Sequence, residues 1–156
     1  MKTLLGVLLL CGSVWAADAP PQRVINAKRV FLDTDVEDGT TLEKRDYQQY
    51  VHTLLANSGR YEMAERRSEA DIEIFFRVSR FDSHETVKHS GAQIKNILPC
   101  VLVQVYDPLG GDKAKPLWGF IFVSSYFWID ATAGSAADMF KDIDAAKATS
   151  SASPQQ

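Results

Sequence analysis

The chain has few cysteines and no excess of basic charge, and each absence excludes a class of protein. Its 156 residues include two cysteines, Cys11 and Cys100, too few for the disulfide framework that holds many small secreted domains together. Its 17 Lys and Arg against 20 Asp and Glu give a net charge of −3. This balance lacks the basic footprint of a nucleic-acid binder, so we expect no nucleic-acid partner.

Recognisable catalytic motifs are also missing. The serines at 124 and 125 are not part of a Gly-x-Ser-x-Gly turn of the kind that presents a nucleophile. The pair Gly110-Gly111 follows a predicted strand but opens no helix, so a phosphate-binding loop is not supported. The sequence therefore favours a protein that is not an enzyme, and we expect no cofactor.

No apolar run reaches the roughly 20 residues that a membrane-spanning helix needs, but a shorter run stands near the start. Lys2 precedes the apolar segment Leu4–Leu10, and Val14-Trp15-Ala16 offers small residues at a cleavage site. We predict a signal peptide over 1–16, export to the periplasm or beyond the cell, and no transmembrane span in the mature chain. Lipidation of Cys11 is the alternative, and it would place the protein at the outer membrane.

The remaining chain divides into a leader, one domain and a tail. Residues 17–27 contain Ala-Pro-Pro and predict a flexible leader, and 149–156 predict a disordered tail because they hold too little apolar content to fold. Between them, 28–148 predict a single α+β domain. Its expected order is β-α-β-β-β-β-α, with a mostly antiparallel sheet of four to five strands and two helices on one face.

Several segments carry this prediction. The first helix begins after Thr40 and Glu43, which have capping-box spacing, and ends at Gly59. The strand from Ile72 to Val78 alternates apolar and mixed residues, and the strand Val101–Tyr106, apolar on both faces, is expected in the centre of the sheet. The last strand is expected over Leu117–Asp130 and the last helix from Ser135, with the polar segment Asp82–Lys95 as a long loop or as a loop that holds a frayed strand around Glu85–Lys88.

Four short motifs resemble a group of small exported bacterial domains, among them the N-terminal domain of TolB and the LpoB-type lipoproteins. The motifs are Gly59-Arg60-Tyr61, Ala70-Asp71, Tyr106-Asp107 and Leu117-Trp118. The resemblance implies a periplasmic or outer-membrane-associated module that binds other macromolecules and catalyses nothing. The chain departs from the group because it lacks a clear lipidation motif and carries the long segment Asp82–Lys95.

An aromatic stripe is the first candidate site. In a strand, residues two apart share a face, so the even-numbered residues of Leu117–Asp130 predict one aromatic face with Phe75 beside it. Uncovered, such a face would bind an envelope protein or a second copy of the chain; the alternative is that the second helix or a loop packs over it. The candidate residues are Trp118, Phe120, Phe122, Tyr126, Trp128 and Phe75.

A second candidate is the segment Asp82–His89, where His84, Glu85 and His89 are weak metal-ligand candidates. Their spacing matches no closed metal site, so we predict no metal there, and a solvated loop is the simpler interpretation. The function that the sequence favours is an exported, non-catalytic binding or assembly module of the bacterial cell envelope. The alternative is a small secreted hydrolase or metal-binding protein that uses this segment.

Edge-to-edge pairing of strands with another chain is a further possibility. Lys113, Lys115 and Pro116 precede the last predicted strand and argue against it, because charges and proline discourage such pairing. Cys100 follows Pro99 at the start of an apolar strand and predicts a buried, inert thiol.

Overall fold

A computed structural model describes residues 18–37, 42–86, 93–110, 115–124 and 127–152, with the backbone alone for 81–86 and 93–96. The predicted signal peptide, Cys11 and Thr40 lie outside the described residues. The helices and strands in chain order are α1 (Gln22–Asn26), β1 (Arg29–Val36), α2 (Lys44–Asn57), β2 (Glu62–Met63), β3 (Ile72–Thr86), β4 (Gln93–Tyr106), β5 (Trp118–Val123) and α3 (Trp128–Ala152), with a 3₁₀ turn at Arg67–Glu69 before β3.

The strands form one five-stranded sheet in the order β2-β1-β3-β4-β5. β1 runs parallel to both β2 and β3, whereas β3–β4 and β4–β5 are antiparallel. The predicted α+β class is confirmed, and β4 occupies an interior position as its apolar sequence predicts. The sheet contains more parallel pairing than predicted, because the connection through α2 places β2 beside β1 in the same direction.

Both long helices lie on one face of the sheet and bury its alternating residues. From α2, Tyr47, Val51 and Leu55 enter the core, and from α3 Ala136, Met139 and Ile143 do so. The sheet residues of this face are fully or nearly buried: Val30, Leu32, Ile72, Ile74, Phe76, Val78, Val101, Val103 and Val105. We call it the covered face; the other is the open face.

The end of α2 follows the sequence closely. Gly59 adopts a positive φ of 65°, a left-handed conformation that glycine reaches without steric cost. The segment then turns, and Arg60 reaches the side of α3, where its guanidinium donates to both carboxylate oxygens of Asp144 at 2.7 and 2.6 Å. The same guanidinium lies 4.8 Å from the centre of the Phe140 ring. These contacts fix α2 and α3 against each other beside the sheet.

Two predicted segments have wrong boundaries. Every described residue of the predicted loop Asp82–Lys95 is strand, because β3 continues to Thr86 and β4 begins at Gln93, and this antiparallel pair extends past its neighbours β1 and β5. The last strand ends at Val123 instead of Asp130, and α3 begins at Trp128 instead of Ser135.

The sequence pattern did not predict the start of α3, because polar residues occupy buried positions in its first turns. Thr132 and Ser135 are fully buried, and their hydroxyls donate to the carbonyls of Trp128 and Thr132, both at 2.8 Å. A hydroxyl that donates to its own helix can be buried at little cost, and the Thr132 hydroxyl also lies 3.3 Å from that of Tyr47. The apolar spacing that marks a helix therefore becomes regular only from Ala136 onward.

Helices also occupy parts of the predicted leader and tail. α1 lies within 17–27, where burial of Val24 and Ile25 holds it against the domain. α3 reaches Ala152, inside the predicted tail 149–156. The two ends touch, since the Gln22 side chain donates to the Ser150 hydroxyl at 2.8 Å. Burial of two apolar residues therefore holds the leader segment, whose composition is otherwise polar, against the domain.

Candidate functional site

The aromatic residues of β5 lie on the covered face. Trp118, Phe120 and Phe122 stand opposite Val105, Val103 and Val101 of β4. Those valines are buried beneath the helices, and partners across an antiparallel pair point to the same side. Trp118 is 5% exposed, and the ring of Phe122 lies against α3 at Gly134. The three residues share one face as predicted, and the second predicted helix packs over it.

The other members of the predicted stripe are elsewhere. Phe75 is in register with Gln104, which pairs with Gly119, so Phe75 lies on the open face. The prediction that it shares the face of Trp118 is wrong, because Phe76, not Phe75, is the core residue of β3. Trp128 is the first residue of α3 rather than part of a strand, and Tyr126 lies outside the described residues. Partner binding through these residues stays a prediction.

Trp128 joins the beginning of α3 to α2. Its ring meets Tyr47 and Tyr50 edge-on, with centroids 5.8 and 5.6 Å apart. Burial raises the pKa of Tyr47 to about 12, against a weaker opposing effect of the hydrogen bond from Thr132. Burial is also the main reason that the pKa of Tyr50 is raised. These phenols stay neutral near neutral pH. The ring contacts of Trp128 with Tyr47 and Tyr50 pack the two helices together.

The open face carries polar pairs at one side and apolar residues at the other. On the β1–β3 side, the guanidinium of Arg67 donates to both carboxylate oxygens of Glu73 at 2.8 and 2.9 Å, and it lies 5.6 Å from the Phe31 ring centre. Nearby, Asp35 is within 3.5 Å of Arg77 and 3.7 Å of Lys44. Each of these charges lies beside one of opposite sign, so this side of the open face is stabilised by ion pairs within the chain.

The β4–β5 side of the open face is mainly apolar, with Gln104 opposite Gly119 as the polar exception. Leu102 is half-buried, while Ile121 and Val123 of β5 are 44% and 37% exposed. Cys100 pairs with Val123 in register and is buried and unoxidised, as predicted. Burial is the main cause that raises the pKa of its thiol, so it stays protonated and unreactive near neutral pH. Exposed apolar residues on a sheet face are a feature of binding surfaces.

β5 is also an edge strand. The Ser124 N–H donates to the Pro99 carbonyl at 3.1 Å, and hydrogen-bonded pairs alternate along an antiparallel ladder. With the observed register, the even-numbered residues of β5 therefore bond to β4. The N–H and C=O groups of Gly119, Ile121 and Val123 point away from the sheet. No strand pairs with this side of β5 within the described part of the chain.

Sequence reasoning missed Ile121 and Val123 because it assigned the candidate binding surface to the aromatic residues that alternate with them. The alternation of β5 reveals two faces but does not say which is covered. Gln104, opposite Gly119, carries the one available signal, because a polar residue within apolar β4 marks the solvent side. Reading that signal across to β5 requires the β4–β5 register, which the sequence alone does not supply.

The predicted motifs Ala70-Asp71 and Tyr106-Asp107 have structural roles beside α1. The Asp71 carboxylate accepts hydrogen bonds from the backbone N–H groups of Lys28 and Arg29, both at 2.9 Å, and these bonds lower its pKa. Arg23 donates to both oxygens of Asp107 at 2.7 and 3.1 Å, which lowers the pKa of Asp107. An open cleft of about 560 Å³ lies here, lined by Arg23, Lys28 and Asp71 among others. Its charged groups tie α1 to the ends of β3 and β4.

The candidate metal segment is only partly described. His84 and Glu85 fall on β3, where the backbone alone is described, and His89 lies outside the described residues. Among residues whose side chains are described, no group of three or more His, Cys, Asp or Glu could hold a metal ion. Likewise, none of the helices in the described ranges is both long enough and apolar enough to cross a membrane.

Comparison with known proteins identifies the fold. A scan against protein-family models gives no match, and neither does a search of curated proteins. Among solved structures, the chain resembles the PelC dodecamer from Paraburkholderia phytofirmans. A point variant of PelC matches with a TM-score of 0.53 and 11% identity over 85% of this chain and 98% of that one. A second PelC dodecamer crystal form gives 0.51 and 11% over 82% and 94%.

A weaker match is the minor lipoprotein from Acinetobacter baumannii, with a TM-score of 0.31 and 14% identity over 78% of this chain and 88% of that one. Its score is too low to support an argument. At 11% identity the PelC matches establish a shared fold and nothing more. The resemblance to the TolB and LpoB-type domains stays a prediction.

Proposed function

We propose that this chain is an exported, non-catalytic module of the bacterial cell envelope that assembles by binding copies of itself. The observation that carries the proposal is the apolar half of the open face, where Ile121 and Val123 are exposed beside an unpaired strand edge. Apolar side chains and unsatisfied backbone groups are both stabilised when another chain covers them.

The fold adds support. The two PelC structures that share it are dodecamers, so this arrangement of strands and helices is compatible with a high-order assembly. The predicted signal peptide over 1–16 supports export, and an envelope location follows from export together with the predicted resemblance to envelope domains.

The charged groups of the open face, of the cleft beside α1 and of α3 support a structural rather than a catalytic role. Arg67 is held by Glu73, Arg77 lies beside Asp35, and Arg23 is held by Asp107. The lowered pKa values of Asp71, Asp107 and Asp144 follow from hydrogen bonds that connect elements of the fold. In the cleft beside α1, Asp71 accepts hydrogen bonds from two backbone N–H groups and Arg23 is bound to Asp107, so these perturbed groups are engaged by the fold itself.

The proposal is tested by measuring the mass of the exported chain in solution. We expect light scattering after size exclusion to give a mass that is a multiple of the single-chain mass and that falls on dilution. A single-chain mass at every concentration would contradict self-assembly.

Export is tested separately by cell fractionation and N-terminal sequencing of the full chain. We expect the protein in the periplasm with Ala17 at its N-terminus. Cys11→Ser is the matched variant: it leaves this outcome unchanged if the signal peptide is cleaved after Ala16, and it releases the protein from the outer membrane if Cys11 is lipidated. Retention of the full chain in the cytoplasm would contradict the proposed location.

A further inference from the structure

The two edges of the sheet are built differently. At one edge, β2 pairs with Arg29 and Val30 alone, and the rest of β1 carries Asp33 and Asp35. Charged residues on an edge strand discourage pairing with another chain. At the other edge, β5 has the sequence Trp-Gly-Phe-Ile-Phe-Val and carries no charge. Among the residues that the structure describes, the edge with outward-pointing backbone groups at Gly119, Ile121 and Val123 is therefore the unprotected one.

The residues expected to block this edge do not lie within it. Lys115 and Pro116 precede the first residue of β5, and Leu117 already donates its N–H to the Val105 carbonyl at 2.7 Å. The proline therefore stands before the first bond of the ladder and removes no donor from the outward side of the strand. Lys115 and Pro116 therefore do not block edge pairing through the six residues of β5.

From these features we infer that β5 pairs antiparallel with β5 of a second copy, about a two-fold axis that passes beside Ile121. The inference rests on the proposed self-assembly and names its surface. Outward backbone groups belong to odd-numbered residues, so hydrogen bonds form only when odd residues stand opposite odd residues. Registers of this kind also place the covered face of one copy beside the covered face of the other, so that the two sheets become one continuous sheet.

Centring the pair on Ile121 satisfies the most outward groups. Ile121 then stands opposite Ile121 of the second copy, and Gly119 opposite Val123 in both directions. Every N–H and C=O that Gly119, Ile121 and Val123 direct outward finds a partner. On the open face, the exposed apolar residues of the two copies become neighbours. No carboxylates meet across this contact, which matters for a chain whose net charge is −3.

The chain's own N-terminal segment is the competing occupant. The Trp118 indole N–H donates to the Asp18 carbonyl at 2.7 Å, and a cleft of about 540 Å³ remains between Asp18, Ala19 and the segment 115–119. This segment contacts the start of β5 and makes no backbone hydrogen bond to Ile121 or Val123 within the described residues.

The test uses charge at the two-fold axis. Ile121→Lys and Ile121→Glu each place like charges opposite one another, so each variant alone is expected to dimerise roughly tenfold more weakly than the wild-type chain. An equimolar mixture of the two variants brings Lys opposite Glu, so dimerisation should be restored. The matched control is Ile129→Lys, which changes an isoleucine of similar exposure, 45% against 44%, on α3 rather than on the sheet edge, and it should leave the dimer unchanged. The measurement is sedimentation velocity over a dilution series, with circular dichroism to confirm folding.

Hydrogen exchange on the wild-type chain gives a second measurement that needs no variant. The amides of Gly119, Ile121 and Val123 should be protected at high concentration and exchange rapidly on dilution.

Three results would overturn the inference while leaving self-assembly intact. These are a wild-type oligomer that both Ile121 variants keep, an equal loss of assembly in Ile129→Lys, and amide protection at β5 that does not depend on concentration. The last result would assign the edge to the N-terminal segment. A wild-type chain that is monomeric throughout would instead refute the proposed function itself.

Discussion

The two faces of the sheet use similar residue types for different purposes. Phe76 and Phe75 are neighbours in β3, yet Phe76 is fully buried under the helices and Phe75 is only partly buried on the open face. In β5, Phe120 and Phe122 point toward the helices while Ile121 and Val123 point to solvent. Apolar character therefore does not decide which face is covered. The register between strands decides it.

The largest expected effect comes from the paired phenylalanines. Phe76→Ala should lower the free energy of unfolding by about 3–5 kcal/mol, because it leaves a cavity in a close-packed core. Phe75→Ala should cost about 1 kcal/mol, since solvent already reaches that side chain. Urea denaturation followed by circular dichroism measures both. Equal losses in the two variants would contradict the assignment of the faces.

A smaller effect is expected where α3 meets the covered face. A Cβ added to Gly134 would lie 2.7 Å from Cζ of Phe122, so Gly134→Ala forces the ring or the helix to move. Overpacking of this kind costs about 1–3 kcal/mol, and the better helix propensity of alanine offsets about 1 kcal/mol of it. We expect a net loss of about 1 kcal/mol by urea denaturation.

The control for Gly134→Ala is the same change combined with Phe122→Leu. If the ring is the obstacle, the alanine should cost less in the leucine background than in the wild-type chain, as a double-mutant cycle would show. Additive effects of the two substitutions would mean that Phe122 does not lie against Gly134, and would place the aromatic side of β5 away from α3.

The smallest expected effect is a loss of stability in acid. Hydrogen bonds lower the pKa of Asp71, Asp107 and Asp144 below their ordinary value of 3.8 in the folded chain. Groups with depressed folded-state pKa values stabilise the fold above 3.8, and that stabilisation disappears as the pH falls through the folded-state values. These carboxylates are solvent-exposed, so screening keeps each contribution small.

Thermal melts over a pH series measure this acid effect, and Asp71→Asn is the matched variant because it keeps the shape of the side chain. The fall in melting temperature below pH 3.8 should be shallower in the variant than in the wild-type chain. An identical fall in both would mean that the bonds from Asp71 to Lys28 and Arg29 do not favour the charged form. None of these carboxylates belongs to the covered face. We therefore expect the covered face to contribute nothing to the loss of stability in acid.

Much of the fold could be predicted from local patterns. The helix that ends at Gly59, the alternation of β3 and the interior position of β4 follow from spacing and turn chemistry, and the structure confirms them. The boundary between β5 and α3 could not be predicted in the same way. Trp128 and Ile129 extend an apolar run that favours a strand, whereas their helical conformation depends on the contact of Trp128 with Tyr47 and Tyr50.

The candidate site was less predictable because it depends on long-range register. The sequence shows that Trp118, Phe120 and Phe122 share a face, but covering that face requires α3 to pack across β4 and β5. Hydrogen-bond direction at Gly119 and Ile121 depends likewise on which residues of β4 they face. Neither relation is local in the chain. The sequence therefore pointed to the aromatic residues of β5 as the candidate surface, whereas Ile121 and Val123 between them are the exposed ones.

The turn that follows Tyr106 leads from β4 to β5, and the register of these two strands has a consequence for how such a chain can evolve. An insertion or deletion of one residue that moved the pairing by one position would exchange the inner and outer residues of β5. Ile121 and Val123 would then pass beneath the helices, and the phenylalanines would become the surface. Relatives that share this fold but differ by one residue in this turn are therefore expected to carry the reversed alternation in their last strand.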